Sequence, residues 1–253
     1  MTITTEFTPA LSIHANPDDL GKAAAIEAGR VLRHALGQRD TVRLMLAAAP
    51  SQEATLRWLL EEPEIDWSRV ESFHMDDYIG LDASAPQGFG NWLVTRFFEN
   101  VNGAGTFHRI DPANDPAAEA LRYGEVMGDG RFDLVLLGLG VNGHLAFNDP
   151  PADFAGIDRA RVVELDMVSR QQQVDEGHFP SIAAVPSTAI TVTISRLLNA
   201  DHIIGSVPGV AKKQAVSDSL TQPISGEYPG TALRTHPHVS LHVDLASAPV
   251  GSR

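Results

Sequence analysis

The apolar run Phe132-Asp133-Leu134-Val135-Leu136-Leu137 passes directly into Gly138-Leu139-Gly140-Val141-Asn142-Gly143-His144, and Pro150-Pro151 follow shortly after. A short segment that is apolar on both faces is what a strand buried within a parallel sheet requires. Glycines at its carboxyl end bring backbone close and deliver a histidine and a carboxylate, Asp149, onto one loop. Such a strand needs helices on both sides to cover it, so it constrains the whole fold.

The rest of the chain fits that demand. Leu20 to Leu36 is predicted as a helix, with Asp18 and Asp19 at its positive end and Gly37 as its C-cap. Val42 to Ala49 reads as a buried strand closed by Pro50, after which Ser51 is expected to cap a second helix through about Glu62. Further strands are expected at Val70 to Met75, Arg161 to Leu165, His202 to Val207 and Val239 to Val243, and helices at Gly90 to Glu99, Pro116 to Gly124 and Val210 to Leu220. Ala189 to Leu198 opens with β-branched residues, so strand and helix are not separable there. Pro150 to Pro186 is loop-rich and is expected to form a cap over the site. Together these imply an α/β fold of three layers, a Rossmann-like, mostly parallel sheet with helices on both faces. No repeat or linker interrupts the chain, so residues 1–253 are read as a single domain.

Several function classes are excluded. The chain contains no cysteine, which rules out disulfides, thiolate nucleophiles and thiolate zinc sites and fits a reducing cytoplasm, the expected location. A formal charge of -13 argues against nucleic acid and anionic membranes as partners. No apolar run approaches the roughly 20 residues of a membrane span, and Met1 to Asn16 lacks the pattern of a signal peptide. The expected partner is a small molecule; a homo-oligomer stays open.

Gly138 to Gly143 satisfies G-x-G-x-x-G after a strand, and Glu164 stands about 20 residues on, where a ribose-binding acid belongs. Against a dinucleotide site, Pro150-Pro151 forbid a helix of useful length, and His144 and Asp149 add chemistry such a site does not need. Histidine shuttles protons near neutral pH, and a nearby carboxylate orients its ring. A second acidic segment, Phe73-His74-Met75-Asp76-Asp77-Tyr78-Ile79-Gly80, follows another predicted strand. Paired carboxyls flanked by Phe73, Met75 and Ile79 raise one another's pKa and so supply a base. Zinc on His74, Asp76 and His144 lacks the spacing of a zinc signature.

At these segments, with Val185 to Thr191 and Leu233 to Pro237, the chain resembles the glucosamine-6-phosphate deaminase and isomerase family, which also includes 6-phosphogluconolactonases. Ala146-Phe147-Asn148-Asp149-Pro150 is similar to the isomerase/deaminase branch; the lactonases carry small and hydroxyl residues there. The resemblance implies aldose–ketose chemistry without a cofactor. Asp76 would be the base moving a proton between C2 and C1, Asp77 a supporting acid, and His144 the group that opens the ring. Asn142 stands where the deaminases carry Asp, and Asp149 where they carry Glu, so the ring-opening relay is expected to lean on Asp149 alone. Gly138, Gly140 and Gly143 would lie against the sugar, and Asn148 would either hydrogen-bond it or hold the turn. The family's Thr- and Gly-rich phosphate loop is replaced by Ala47-Ala48-Ala49-Pro50-Ser51-Gln52, leaving Ser51 and the amides around Ala48 and Ala49. Lys212 matches the phosphate-binding lysine; the corresponding arginine has no counterpart, Arg170 being out of register. A lactonase with His144 activating water, and a non-catalytic sugar-phosphate sensor, are the alternatives.

Overall fold

In the computed structural model, which describes residues 5–249, the elements alternate along the chain as β1 Ala10–His14, α1 Pro17–Leu36, β2 Val42–Leu46, α2 Glu53–Leu60, β3 Val70–His74, β4 Asp76–Tyr78, α3 Phe89–Arg96, β5 Phe107–His108, α4 Pro116–Met127, β6 Phe132–Leu137, β7 Ala160–Glu164, α5 Met167–Asp175, β8 Thr188–Val192, α6 Ile194–Leu197, β9 Ala200–Val207, α7 Lys213–Thr221 and β10 Val239–Asp244. Seven strands form one parallel sheet in the order β1-β10-β9-β6-β2-β3-β5. All six residues of β6 are buried, as its apolar sequence demands. Alternation along the strands divides the interior into two cores. Leu44, Leu46, Leu134 and Leu136 pack with α1 and α2, whereas Met45, Val135 and Leu137 pack on the other side with Tyr123 of α4 and Val216 of α7.

The main sheet follows the sequence reading, with shifts at the ends. Asp18 and Asp19 lie in the first turn of α1 as expected, Asn16 caps it by accepting from their amides, and Pro17 supplies a preset φ for that turn. Gly37 closes that helix in a right-handed conformation. The strand expected through Ala49 stops at Leu46, and Ser51 caps nothing: Pro50–Gln52 make a single 3-10 turn, and no side chain caps either it or α2. The helix expected from Val210 begins at Lys213, after a 3-10 turn.

Two features depart from the reading. β1, an edge strand beside β10 that is exposed at most positions, lacks the apolar run that marks its neighbours. The segment Pro150 to Pro186 is loop-rich as expected and contains the strand expected near Arg161, β7, but it also holds helix α5, and β7 joins β8 and β4 in a separate antiparallel sheet. The ambiguous stretch from Ala189 resolves into both forms, strand β8 and then α6, which Thr193 caps by accepting from the Arg196 amide. No described helix is long and apolar enough to cross a membrane.

Candidate active site

In the main sheet the chain runs from β2 outward through β3 and β5 on one side, and from β6 through β9 and β10 on the other. β2 and β6 are neighbours, so the loops that follow them diverge and leave a crevice at their carboxyl ends, where open α/β sheets bind ligands. A cavity lies there, lined by Ala47, Ala48, Ala49 and Ser51 from the loop after β2, by Gly138, Leu139, Ala146 and Phe147 from the loop after β6, and by Asp76 and Lys212.

The loop after β6 is shaped around its histidine. A Cβ at Gly140 would stand 2.3 Å from Nε2 of His144, so only glycine leaves room for the ring, and Gly143 turns the chain with a φ of +83°. Nδ1 of His144 lies 2.8 Å from Oδ1 of Asp149 and 2.8 Å from the Ser169 hydroxyl, which itself donates to Asp149. Asn142 donates to Asp149 at 3.0 Å and accepts the His144 amide at 3.1 Å. Burial pushes the Asp149 carboxyl up, but the hydrogen bond and charge of His144, then Asn142 and Ser169, outweigh it and hold the group well below the usual carboxylate range. An ionised Asp149 thus fixes the ring with Nε2 free for chemistry, the logic of a carboxylate-oriented imidazole. The relay does not lean on Asp149 alone. Ser169 shares the ring nitrogen, and Asp166, 3.3 Å from Asn142 Nδ2, caps α5 by accepting from the Ser169 amide.

Asn148 is held away from any ligand. Its amide nitrogen donates to the carbonyls of Leu145 and Val192, each at 2.8 Å, and its oxygen accepts from Arg161 at 3.2 Å. It fastens the turn to β8 rather than reaching into the crevice.

The two adjacent acids lie in β4, not in a loop, so their side chains point to opposite faces of a strand. Asp76 faces the cavity. Burial, then the charge of Asp77, raises its carboxyl well above the ordinary value. Asp77 faces away and accepts the amides of Tyr78, Phe89 and Gly90, which ties β4 to the first turn of α3. Burial lifts Asp77 to about 6 against the pull of those three amides. It therefore bears on chemistry through its charge on Asp76. His74 lies beneath, fully buried, its Nε2 accepting the Ile110 amide at 2.9 Å; burial and the charge of Arg109 lower it to about 3, so it is neutral.

At the opposite end of the cavity, Lys212 is 5% exposed, and burial lowers its pKa against the pull of Glu176. Nζ stands 3.2 Å from Glu176 Oε1. Ser51 Oγ accepts from Gln52 Nε2 at 3.1 Å, and the same amide donates to the Ser206 carbonyl. Arg170 is not an anion ligand: its guanidinium donates to the carbonyls of Ile182 and Val185. The residues that sequence reasoning missed, Asp166, Ser169, Gln172, Gln173 and Glu176, all come from α5 and its caps. Gln172 accepts the Val141 amide at 2.9 Å and Gln173 the Tyr78 hydroxyl at 2.7 Å. Asp166 standing three residues before Ser169 was the available signal, a helix-start pattern.

A crevice at the switch point of a parallel sheet, lined by a lifted carboxyl and a buried ammonium beside a loop that carries an oriented imidazole, defines a Rossmann-like α/β enzyme. The chain belongs to the family of glucosamine-6-phosphate isomerases and 6-phosphogluconolactonases, whose model matches residues 15–241. It is 30% identical over 227 residues to glucosamine-6-phosphate deaminase 1 of Bacillus subtilis (strain 168), covering 87% of this chain and 92% of that one. It is 33% identical over 187 residues to glucosamine-6-phosphate deaminase of an Arthrobacter species (strain FB24), covering 73% and 70%. A monomeric glucosamine-6-phosphate deaminase superposes with a TM-score of 0.86 at 27% identity, covering 94% of this chain and 98% of that one. A 6-phosphogluconolactonase from Shewanella baltica OS155 shares the fold at a TM-score of 0.77 and 18% identity, covering 93% and 97%.

Proposed function

We propose that this chain, acting as one catalytic domain, converts glucosamine 6-phosphate into the corresponding ketose phosphate with release of ammonia. The observation that carries the reading is a single cavity bounded by Asp76 at one end and Lys212 with Ser51 at the other, beside a loop that holds His144 against Asp149. Asp76 follows β3 and Lys212 follows β9, on opposite sides of the β6–β2 pair, an arrangement that suits a sugar with its reactive carbons at one end and its anion at the other. The deaminase names of the relatives support the same substrate class.

His144 takes the proton of the anomeric hydroxyl and delivers one to the ring oxygen, which opens the sugar to its aldehyde. Asp149 stabilises the imidazolium that forms in between. Asp76 then removes the proton on C2 while the C2 ammonium gives one of its protons to the carbonyl oxygen, leaving an enolamine, and Asp76 returns its proton to C1. The resulting C2 imine adds water and expels ammonia, leaving the ketone. Asp76 must be ionised to begin, and the substrate's C2 ammonium beside it favours that form. Ser51 and Lys212 hold the phosphate. Protons and water balance the reaction.

Incubation with glucosamine 6-phosphate, following ammonia and ketose together, tests the reading: both products should form in equal amounts. Turnover of 6-phosphogluconolactone alone, or binding of the amino sugar without turnover, overturns it.

A further inference from the structure

Lys212 and Glu176 form an ion pair at the rim of the candidate phosphate site, 3.2 Å apart with side chains 6% and 21% exposed. Glu176 is the C-cap of α5, and Gln172 Nε2 donates to the same carboxylate oxygen at 2.7 Å. Among the described residues Lys212 Nζ makes no other hydrogen bond. Lys212 lines the cavity and is the cation assigned to the substrate's anion.

We propose that Glu176 competes with the substrate's phosphate for Lys212, and so sets both the affinity and the selectivity of the site for an anionic sugar. The inference rests on the reading of Lys212 as the phosphate-binding cation and adds a specificity-determining residue to it. Charge arithmetic carries the argument. Paired with a carboxylate, Lys212 presents almost no net field to a neutral hydroxyl, which cannot displace an anion from it. A phosphate dianion carries more charge and more acceptor oxygens, so it takes the ammonium while Glu176 keeps its bond from Gln172. In a chain with a formal charge of -13, an unpaired buried lysine would draw in many small anions; the carboxylate at its side raises the threshold. The cost is part of the affinity for the proper substrate.

The test uses the full chain and three variants, Glu176→Gln, Glu176→Ala and Lys212→Gln, titrated with inorganic phosphate by calorimetry and assayed for KM and kcat with glucosamine 6-phosphate. Gln at 176 still accepts from Gln172, and melting temperatures check that each variant folds. Loss of a half-buried pair worth about 1 kcal/mol predicts that Glu176→Gln binds phosphate about fivefold more tightly and lowers KM by a similar factor, with the effect in KM rather than kcat. Glu176→Ala carries the same expectation, and Lys212→Gln weakens phosphate. If Lys212→Gln weakens phosphate but neither Glu176 variant tightens it, the competition is overturned and the assignment of Lys212 stands. If Lys212→Gln leaves phosphate binding unchanged, both fall.

Discussion

The two ends of the crevice are built on different plans. At the imidazole end, side chains and backbone interlock: His144, Asp149, Asn142, Ser169 and Asp166 are joined by hydrogen bonds, and Gly140 is shaped to admit the ring. At the anion end, methyl groups of Ala47, Ala48 and Ala49 line the wall, Pro50 has no N–H, and Ser51, the Gln52 amide beside it and the paired Lys212 supply the polarity. Pre-organised groups act on the rate of chemistry, whereas sparse ones act on binding and are the easier to retune. Substitutions at the first end should therefore appear in kcat and those at the second in KM.

The largest effect is expected from Asp76→Asn, which removes the proposed C2 base and should lower kcat about a thousandfold. The same change tests the physical state of the group. Burial and Asp77 raise Asp76 above the ordinary value of 3.8, so as pH climbs past that value the unfolded chain ionises while the folded chain resists, and stability falls. The variant lacks this term, so its melting temperature relative to the native chain should rise steadily from pH 4 upward; a gap independent of pH would show that Asp76 is not lifted. Next, His144→Gln should lower kcat about a hundredfold, and the defect should shrink if the substrate is supplied already ring-opened. Ser169→Ala loses one hydrogen bond to the relay and should cost about tenfold in kcat with KM unchanged. Smallest is Ser51→Ala, expected to raise KM about threefold at constant kcat. Were Ser51→Ala to act on kcat, or Ser169→Ala on KM alone, the division between the two ends would break.

The same contrast explains what was legible in the sequence. Strand β6 and the loop after it are local: an apolar run, glycines and a histidine with its carboxylate all lie within residues 132–149, so their partnership was readable from spacing. The acidic pair was readable as a site but not as a strand, because β4 is three residues long and two of them are charged. Its strand geometry, once seen, separates the roles of Asp76 and Asp77, which spacing alone left together. Helix α5 was hidden for a different reason. Its buried residues are Ser169, Gln172 and Gln173, while Met167 and Val168 are exposed, so its polarity is the reverse of an ordinary amphipathic helix. A helix that buries amides and hydroxyls against a polar crevice carries no apolar stripe to find. Asn148 was legible only as a choice between a ligand and a fastener of the turn, and the carbonyls of Leu145 and Val192, which consume its donors, decide for the fastener.

Helix α5 reaches both the imidazole and the paired lysine. Its first turn steadies the imidazole through Ser169, and its last residue is followed by the carboxylate on Lys212. Displacing the helix as a whole would therefore disturb turnover and recognition at once, whereas trimming one side chain, as in Ser169→Ala, acts on one of them. Divergence toward a new sugar would meet less resistance in the alanine-lined turn after β2, whose side chains make no bond to the histidine, and that is where relatives with altered substrate choice should have accumulated their changes.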